Sequence, residues 1–246
     1  MAKQKDIFIP IRGQRAFEEI ASQIKKLVFK GILKPGERLP SEMDLAGRFN
    51  VSRQTIREGL RILELSGFIK VQKGYGGGTF IKDTTLNKMG DLFVDTLRLE
   101  KITIEDLTVV RLENERIILN YAIDLADEKD IKALHENILR AKADLKKNKM
   151  ATAANFEFHK LLAKASKNNV RVILVELILV ALSHMLSRRP PNFETTRSAI
   201  EYHDKILEAI IKKDRAAAMA LLEDHLKEVE HQLRTLPYDP EISVAI

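Results

Sequence analysis

A chain of 246 residues is long enough for two domains, each with its own core. It contains no cysteine, which excludes disulfide frameworks, thiolate metal sites and thiol nucleophiles and suits a reducing cytoplasm. The formal charge of +6 is unevenly placed: residues 1–83 hold 16 Lys/Arg against 9 Asp/Glu, and residues 84–246 hold 25 against 26. A polyanionic partner is therefore expected for the first stretch and not for the second.

The opening MAKQKDIFIP lacks the apolar segment of a secretory signal, and residues 1–14 read as a loose arm. From Ala16 to Lys30 the spacing of Phe17, Ile20, Ile24, Leu27 and Val28 predicts an amphipathic helix, stopped by Gly31. A turn at Leu33-Lys34-Pro35-Gly36 leads through Leu39-Pro40 to the stretch that carries most information. There Ser41 can cap a short helix with Asp44 as its acidic partner, and Asn50-Val51 make a tight turn. Ser52 caps a second helix whose Ile56, Leu60 and Leu63 mark the buried side.

Arg53, Gln54 and Arg57 fall off that apolar line, in the first turns of the second helix. A helix lying in the DNA major groove presents such positions to base edges, where Arg pairs with guanine and Gln with adenine. Ser52 and Thr55, with the free N–H groups of a helix start, suit phosphate oxygens. Gly67 ends the helix, and residues 68–71 and 79–82 read as strands of a hairpin whose tip, Lys73-Gly74-Tyr75-Gly76-Gly77-Gly78, is cationic and glycine-rich. A solvated basic helical hairpin would explain single basic residues, but not the ordered series of cap, turn, cap, Arg/Gln/Thr/Arg, helix stop and basic wing.

From Thr84 onward the pattern is helical, with segments at about 86–99, 103–126, 128–147, 150–166, 169–188, 193–212 and 214–234. Thr103-Ile104-Glu105 and Asp127-Glu128 look like N-terminal caps, Asn168-Asn169 and Arg189-Pro190-Pro191-Asn192 break the chain, and 237–246 reads as an irregular tail. The longest apolar run, Val172 to Leu186, is interrupted by Glu176 and His184 and is read as a central bundle helix rather than a membrane span. The expected fold is mostly α: a winged helix-turn-helix over 1–83 with a small β-hairpin wing, then an all-α antiparallel bundle over 84–246.

Inside the bundle, Asn155 and His159 share one side of a helix at i, i+4, and His203 and His225 lie on apolar lines of two further helices. Three imidazoles could converge on zinc, nickel or manganese, although an inward His is more often a satisfied core residue, and His135 and His184 show similar spacing. Arg111, four residues before Glu115, reads on spacing alone as half of a surface ion pair.

The stretch GERLPSEMDLAGRFNVSRQTIREGLRILELSGFIKVQKGYGGGTFI resembles the winged-helix DNA-binding domain of the GntR family of bacterial transcription regulators over roughly Arg15 to Lys82. By position, the resemblance implies DNA contacts at Arg38, Ser41, Ser52, Arg53, Gln54, Thr55, Arg57, Lys73 and Gly74. Met43 stands where many members carry an Arg. The helical part is similar to the FCD ligand-binding domain of the FadR subfamily, through Asn155-Phe156-Glu157-Phe158-His159, Glu201-Tyr202-His203 and Asp224-His225-Leu226. It implies a metal site at Asn155, His159, His203 and His225, with the usual Asp replaced by Asn155, and an effector carboxylate at Arg111.

The function implied is a cytoplasmic homodimeric regulator, more often a repressor than an activator, that binds a palindromic double-stranded DNA operator and is released by a small organic acid. Two alternatives stand beside it: a DNA binder whose helical part only dimerises, and a His-based metalloenzyme. No membrane partner and no catalytic residue are expected, since no general base with recognisable spacing accompanies the histidines.

Overall fold

A computed structural model describes residues 16–82, 86–188 and 191–235; the arm expected over 1–14 and the tail expected over 237–246 lie outside the described residues. Contacts divide the chain into two compact units, residues 1–88 and 89–246. In the first unit α1 (Ala16–Phe29), α2 (Glu42–Phe49) and α3 (Arg53–Leu65) precede a hairpin of β1 (Ile69–Gln72) and β2 (Gly78–Ile81). The strands pair antiparallel with Ile69 opposite Ile81. β1 runs one residue later and β2 one residue earlier than the expected 68–71 and 79–82: the Phe68 N–H closes the helix end on Leu63 O, although Phe68 O still accepts from Lys82 N.

Local chemistry explains each boundary. Ser41 and Ser52 sit in extended backbone and accept from the N–H groups of Asp44 and Thr55, satisfying free helix donors. Asn50 ends α2 in the left-handed conformation at φ 52°, which a short amide side chain tolerates, and so sets the turn between the two helices. Ile56, Leu60 and Leu63 of α3 are buried with Ile20, Ile24, Leu39, Leu45, Ile69 and Ile81. Gly59 lets α1 and α3 approach closely: a Cβ there would meet Phe17 O at 3.0 Å and Ile20 Cγ2 at 3.1 Å.

α4 (Leu86–Leu99) straddles the division of the chain. The second unit continues with α5 (Ile104–Leu125), α6 (Glu128–Lys146), α7 (Thr152–Ala165), α8 (Asn169–Arg188), α9 (Phe193–Ile211) and α10 (Arg215–Thr235). Reciprocal capping boxes, Thr103 with Asp106 and Asp127 with Asp130, start α5 and α6. α5 packs on α10, α7 and α8, α9 on α10 and α6, and α6 on α7, around a core that includes Ile118, Leu134, Phe158, Leu162, Ile206 and Leu222.

α8 departs from the central position expected for it. Over Asn169–Ser187 its mean hydropathy is 2.0, long and apolar enough by composition to cross a membrane, yet only 28% of that window is buried. Val175, Leu179 and Leu182 enter the bundle core and Ile178 and Ala181 pack on Val94 of α4. Val170, Ile173 and Leu174 remain exposed, because a helix apolar on all sides is covered on only part of its circumference.

Candidate functional sites

In the first unit, the apolar line of α3 turns inward and so turns its polar first turns outward: Arg53, Gln54 and Arg57 are exposed and Thr55 is half-buried. Gln54 donates to Glu58 at 3.0 Å, and Arg57 donates from Nε and Nη2 to the two oxygens of Glu42 on α2, at 3.4 and 2.9 Å. Arg53 lies 3.9 Å from the same carboxylate. The Arg57 hydrogen bond holds the Glu42 carboxyl below its ordinary range, so the pair is ionised at neutral pH. Ser52 and Ser41 spend their hydroxyls locally, on Thr55 and Asp44. Met43, beside Glu42, is 67% exposed.

The wing stands next to this helix in sequence and is braced by Arg38, whose Nη2 donates to Gly77 O at 2.6 Å. A Cβ at Gly78 would lie 2.5 Å from Arg38 Nε, so glycine there admits the guanidinium. Gly74 turns the tip at φ +97°, and Lys73 is exposed beside it. Of the expected set, Ser41, Ser52, Arg53, Gln54, Thr55 and Arg57 lie at helix starts, Lys73 and Gly74 at the hairpin tip, and Arg38 in the connection before α2, bridged to Phe80, all within one small unit.

In the second unit four helices converge on a buried polar site: Arg111 and Glu115 from α5, Asn155 and His159 from α7, His203 from α9, and His225 from α10. The ligand nitrogens of the three histidines lie within 4.8 Å of one another. His203 Nε2 is 3.2 Å from His225 Nε2, which is 3.3 Å from His159 Nε2. Phe158 stacks on His203 with ring centroids 3.9 Å apart and fixes its plane. His135 and His184, which share the periodicity, are exposed.

Arg111 is 5% and Glu115 2% exposed, so the expected surface pair does not hold. The i, i+4 pair exists, with Arg111 Nε donating to Glu115 Oε1 at 2.7 Å, but it is internal, and the guanidinium faces the histidines. Glu115 Oε2 lies 2.5 Å from His159 Nδ1. Burial pushes the Glu115 carboxyl up, but His159 and Arg111 outweigh it and bring it down to about 2. Burial pushes His159 down from 6.5 and holds His203 and His225 well below it, so all three imidazoles are neutral at pH 7.

A cavity of about 50 Å³ adjoins the cluster, its wall including Arg111, Thr152, Asn155, His159, His225 and Gln232. One water needs roughly 10–15 Å³, so the space takes a few waters or a small acid. Asn155 Oδ1 is buried without a hydrogen-bond partner.

Comparison with known proteins identifies both units. The FCD domain profile matches residues 106–228, and that of bacterial regulatory proteins of the gntR family matches residues 16–81. The chain belongs to the GntR family. It is 27% identical over 219 residues to the HTH-type transcriptional regulator LutR of Bacillus subtilis (strain 168), covering 84% of this chain and 96% of that protein. It is 23% identical over 227 residues to the HTH-type transcriptional repressor NanR of Enterobacter sp. (strain 638), covering 89% and 86%. A solved Streptococcus agalactiae GntR structure superimposes with a TM-score of 0.64 at 25% identity, covering 87% of this chain and 99% of that one.

As a GntR-family member with an FCD domain, the protein is a DNA-binding transcription regulator. Its buried donor set fits a divalent metal. Two of the three nitrogen spacings, 3.2 and 3.3 Å, match the roughly 3.3 Å edge of a tetrahedron of zinc–nitrogen bonds, and all three nitrogens lie within 4.8 Å of one another. Glu115 stands behind His159 as the carboxylate that orients a ligating imidazole, and Asn155 Oδ1 is an acceptor without a donor beside them. The sequence reading paired Glu115 with Arg111 but not with His159, and it missed Glu42, whose partner Arg57 lies 15 residues on in another helix.

Proposed function

We propose that this GntR regulator works as a homodimeric repressor that grips a two-fold symmetric operator and lets go when a small organic acid, with a divalent metal, occupies the cavity of its FCD domain. The observation that carries the DNA half is the outward placement of Arg53, Gln54 and Arg57 on a helix whose opposite line, Ile56, Leu60 and Leu63, is buried. Arg53 and Arg57 supply bidentate base contacts, Gln54 an adenine contact, and the Ser41, Ser52 and Thr55 region with Arg38, Lys73 and Gly74 of the wing supplies phosphate contacts. The net positive charge of the first 83 residues favours the same partner.

The homodimer is supported by an open apolar face. On α5, Ile117 and Tyr121 follow Val110 on one side of the helix, and on α8 Val170, Ile173 and Leu174 are exposed. Arg171 lies over the Tyr121 ring at 3.9 Å and joins the two helices into one surface. Asn114, one turn from Val110, has its Nδ2 buried without a partner on the same helix. A two-fold dimer turns this face on itself, and two-fold protein symmetry calls for a palindromic operator.

In the effector half, Arg111 offers the carboxylate contact, and His159, His203, His225 and Asn155 hold the metal. A bound divalent ion would add a Lewis-acidic point for an acid oxygen. The rest is positioning: Glu115 orients His159, and Phe158 orients His203. Release of DNA requires that the acid bind the DNA-free form more tightly than the DNA-bound one. The name of the NanR relative, a repressor, favours repression.

The test is selection of duplexes from a random pool, followed by titration of the selected complex with zinc and a panel of small carboxylic acids. A palindromic consensus and loss of the complex with at least one acid are expected. Failure to enrich any sequence would refute the DNA reading, and a complex indifferent to every acid would refute the effector reading.

A further inference from the structure

Arg111, Glu115 and His159 close a ring of contacts. Arg111 Nε donates to Glu115 Oε1 at 2.7 Å, Glu115 Oε2 lies 2.5 Å from His159 Nδ1, and Arg111 Nη2 lies 2.9 Å from His159 Nε2. All three side chains are 6% exposed or less. An ionised carboxylate only accepts, so the imidazole proton sits on Nδ1 and the lone pair on Nε2. A guanidinium only donates, so Arg111 Nη2 gives its hydrogen to that lone pair. The three side chains thus meet one another's hydrogen-bonding needs at Arg111 Nε, both Glu115 oxygens and both His159 nitrogens.

His159 Nε2 is also the atom that faces His225 Nε2, at 3.3 Å, in the three-imidazole cluster. A metal held by the three histidines needs that lone pair. One lone pair cannot serve a guanidinium and a metal ion at once, and two cations placed on it would repel. Arg111 thus stands at a position where it opposes the very ion its neighbours are arranged to hold.

We infer that Arg111 is a built-in competitor for the histidine site, and that a carboxylate in the adjoining cavity lifts the competition, so that metal and acid bind cooperatively. This rests on the proposed reading that the bundle takes both. Arg111 borders the cavity, so its Nη2 end can turn from His159 to an acid there while Nε stays on Glu115. Asn155 Oδ1, a buried acceptor without a partner on the same wall, marks the site as lacking a cation or a donor. An acid that draws Arg111 away exposes the His159 lone pair to the metal, and a metal that takes the lone pair frees Arg111 for the acid. By linkage the two effects are equal in size.

Isothermal titration of the full-length, chelator-stripped protein with zinc chloride tests this, in the presence of sodium acetate or of sodium chloride at equal ionic strength. For the wild-type chain, acetate is expected to tighten zinc binding about tenfold, within the usual range of such couplings. Arg111→Met should bind zinc more tightly than wild type without acetate and should no longer respond to it. Arg111→Lys, which keeps a cation but not the planar fork, should show a reduced response, and it carries the test if the Met variant does not fold.

Several outcomes would overturn the inference while leaving the metal-and-acid reading in place. One is zinc affinity equal in wild type and Arg111→Met; another is an acetate response that persists in Arg111→Met, or that is undiminished in Arg111→Lys, the signature of acetate acting without Arg111. No zinc uptake by any variant, with or without acetate, would overturn both.

Discussion

Arg57 on α3 and Glu42 on α2 are joined by two hydrogen bonds, at 2.9 and 3.4 Å, across the turn that Asn50 makes. The pair holds the Arg57 guanidinium in one orientation on an exposed helix start, so less freedom is lost when it meets a base. It also sets a negative charge beside the proposed phosphate path. Arg53→Ala and Arg57→Ala should each cost about 1–3 kcal/mol of operator affinity and relax selection at one base pair per half-site. Lys73→Ala should instead weaken all duplexes alike and reduce the salt slope by about 1. Fluorescence anisotropy against operator and scrambled duplexes separates the two; equal losses on both duplexes for Arg57→Ala would remove that residue from base reading.

Gly59→Ala pits two effects against each other. Alanine is the better helix former by about 1 kcal/mol. Its Cβ, however, would lie 3.0 Å from Phe17 O, a backbone atom that cannot rotate away, and 3.1 Å from Ile20 Cγ2. Overpacking of this kind costs roughly 1–3 kcal/mol, so net destabilisation is expected, read as a lower midpoint for the first unit in urea unfolding. An unchanged or raised midpoint would show that α1 and α3 separate freely.

How much of this was legible beforehand follows from what periodicity encodes. The apolar spacings and the Ser41, Ser52, Thr103 and Asp127 caps specify helices and their starts, because those signals act within a few residues. The helical positions of His159, His203 and His225 could be read, but not that they meet, since His135 and His184 show similar spacing and end exposed. The role of Glu115 was hidden for the same reason. Its second oxygen reaches a histidine 44 residues on, a relationship that no local pattern carries. The open side of α8 was equally hidden, because a run apolar on all sides does not say which side finds a neighbour.

That open side gives a third prediction. Ile117→Glu and Leu174→Asp each place a charge on the exposed α5/α8 face, where Ile117 is 51% and Leu174 45% exposed. Neither residue belongs to the buried core of the bundle, so the fold should survive with helical content intact. Light scattering behind size exclusion should show the wild type as a dimer and each variant as a monomer at micromolar concentration, with operator affinity falling accordingly. Variants that stay dimeric would move the proposed interface elsewhere.

Stability should fall on mild acidification, and the histidine cluster sets where. Burial above all, and the Arg111 guanidinium, keep His159, His203 and His225 below 6.5, while Glu115 opposes the shift only for His159 and His225. An unfolded chain takes up those protons near pH 6.5, and the folded chain does not. Stability is therefore greatest above about pH 7 and declines as the pH drops through 6.5, by about 1.4 kcal/mol per pH unit for each imidazole still neutral in the fold. With two or three of them so held, the fall should be steepest between pH 6 and 5. Further down, the Glu115 and Asp127 carboxyls, both held at about 2 in the fold, add a second loss as the pH falls below about 4.5. Asp127 is held there first by its hydrogen bond from Lys167. Urea unfolding of the second unit from pH 7.5 to 5, with chelator present so that no metal masks the protons, measures the slope. His203→Gln should flatten it. A curve level between pH 7.5 and 5 would mean that the imidazoles protonate in place and that the cluster is not held neutral.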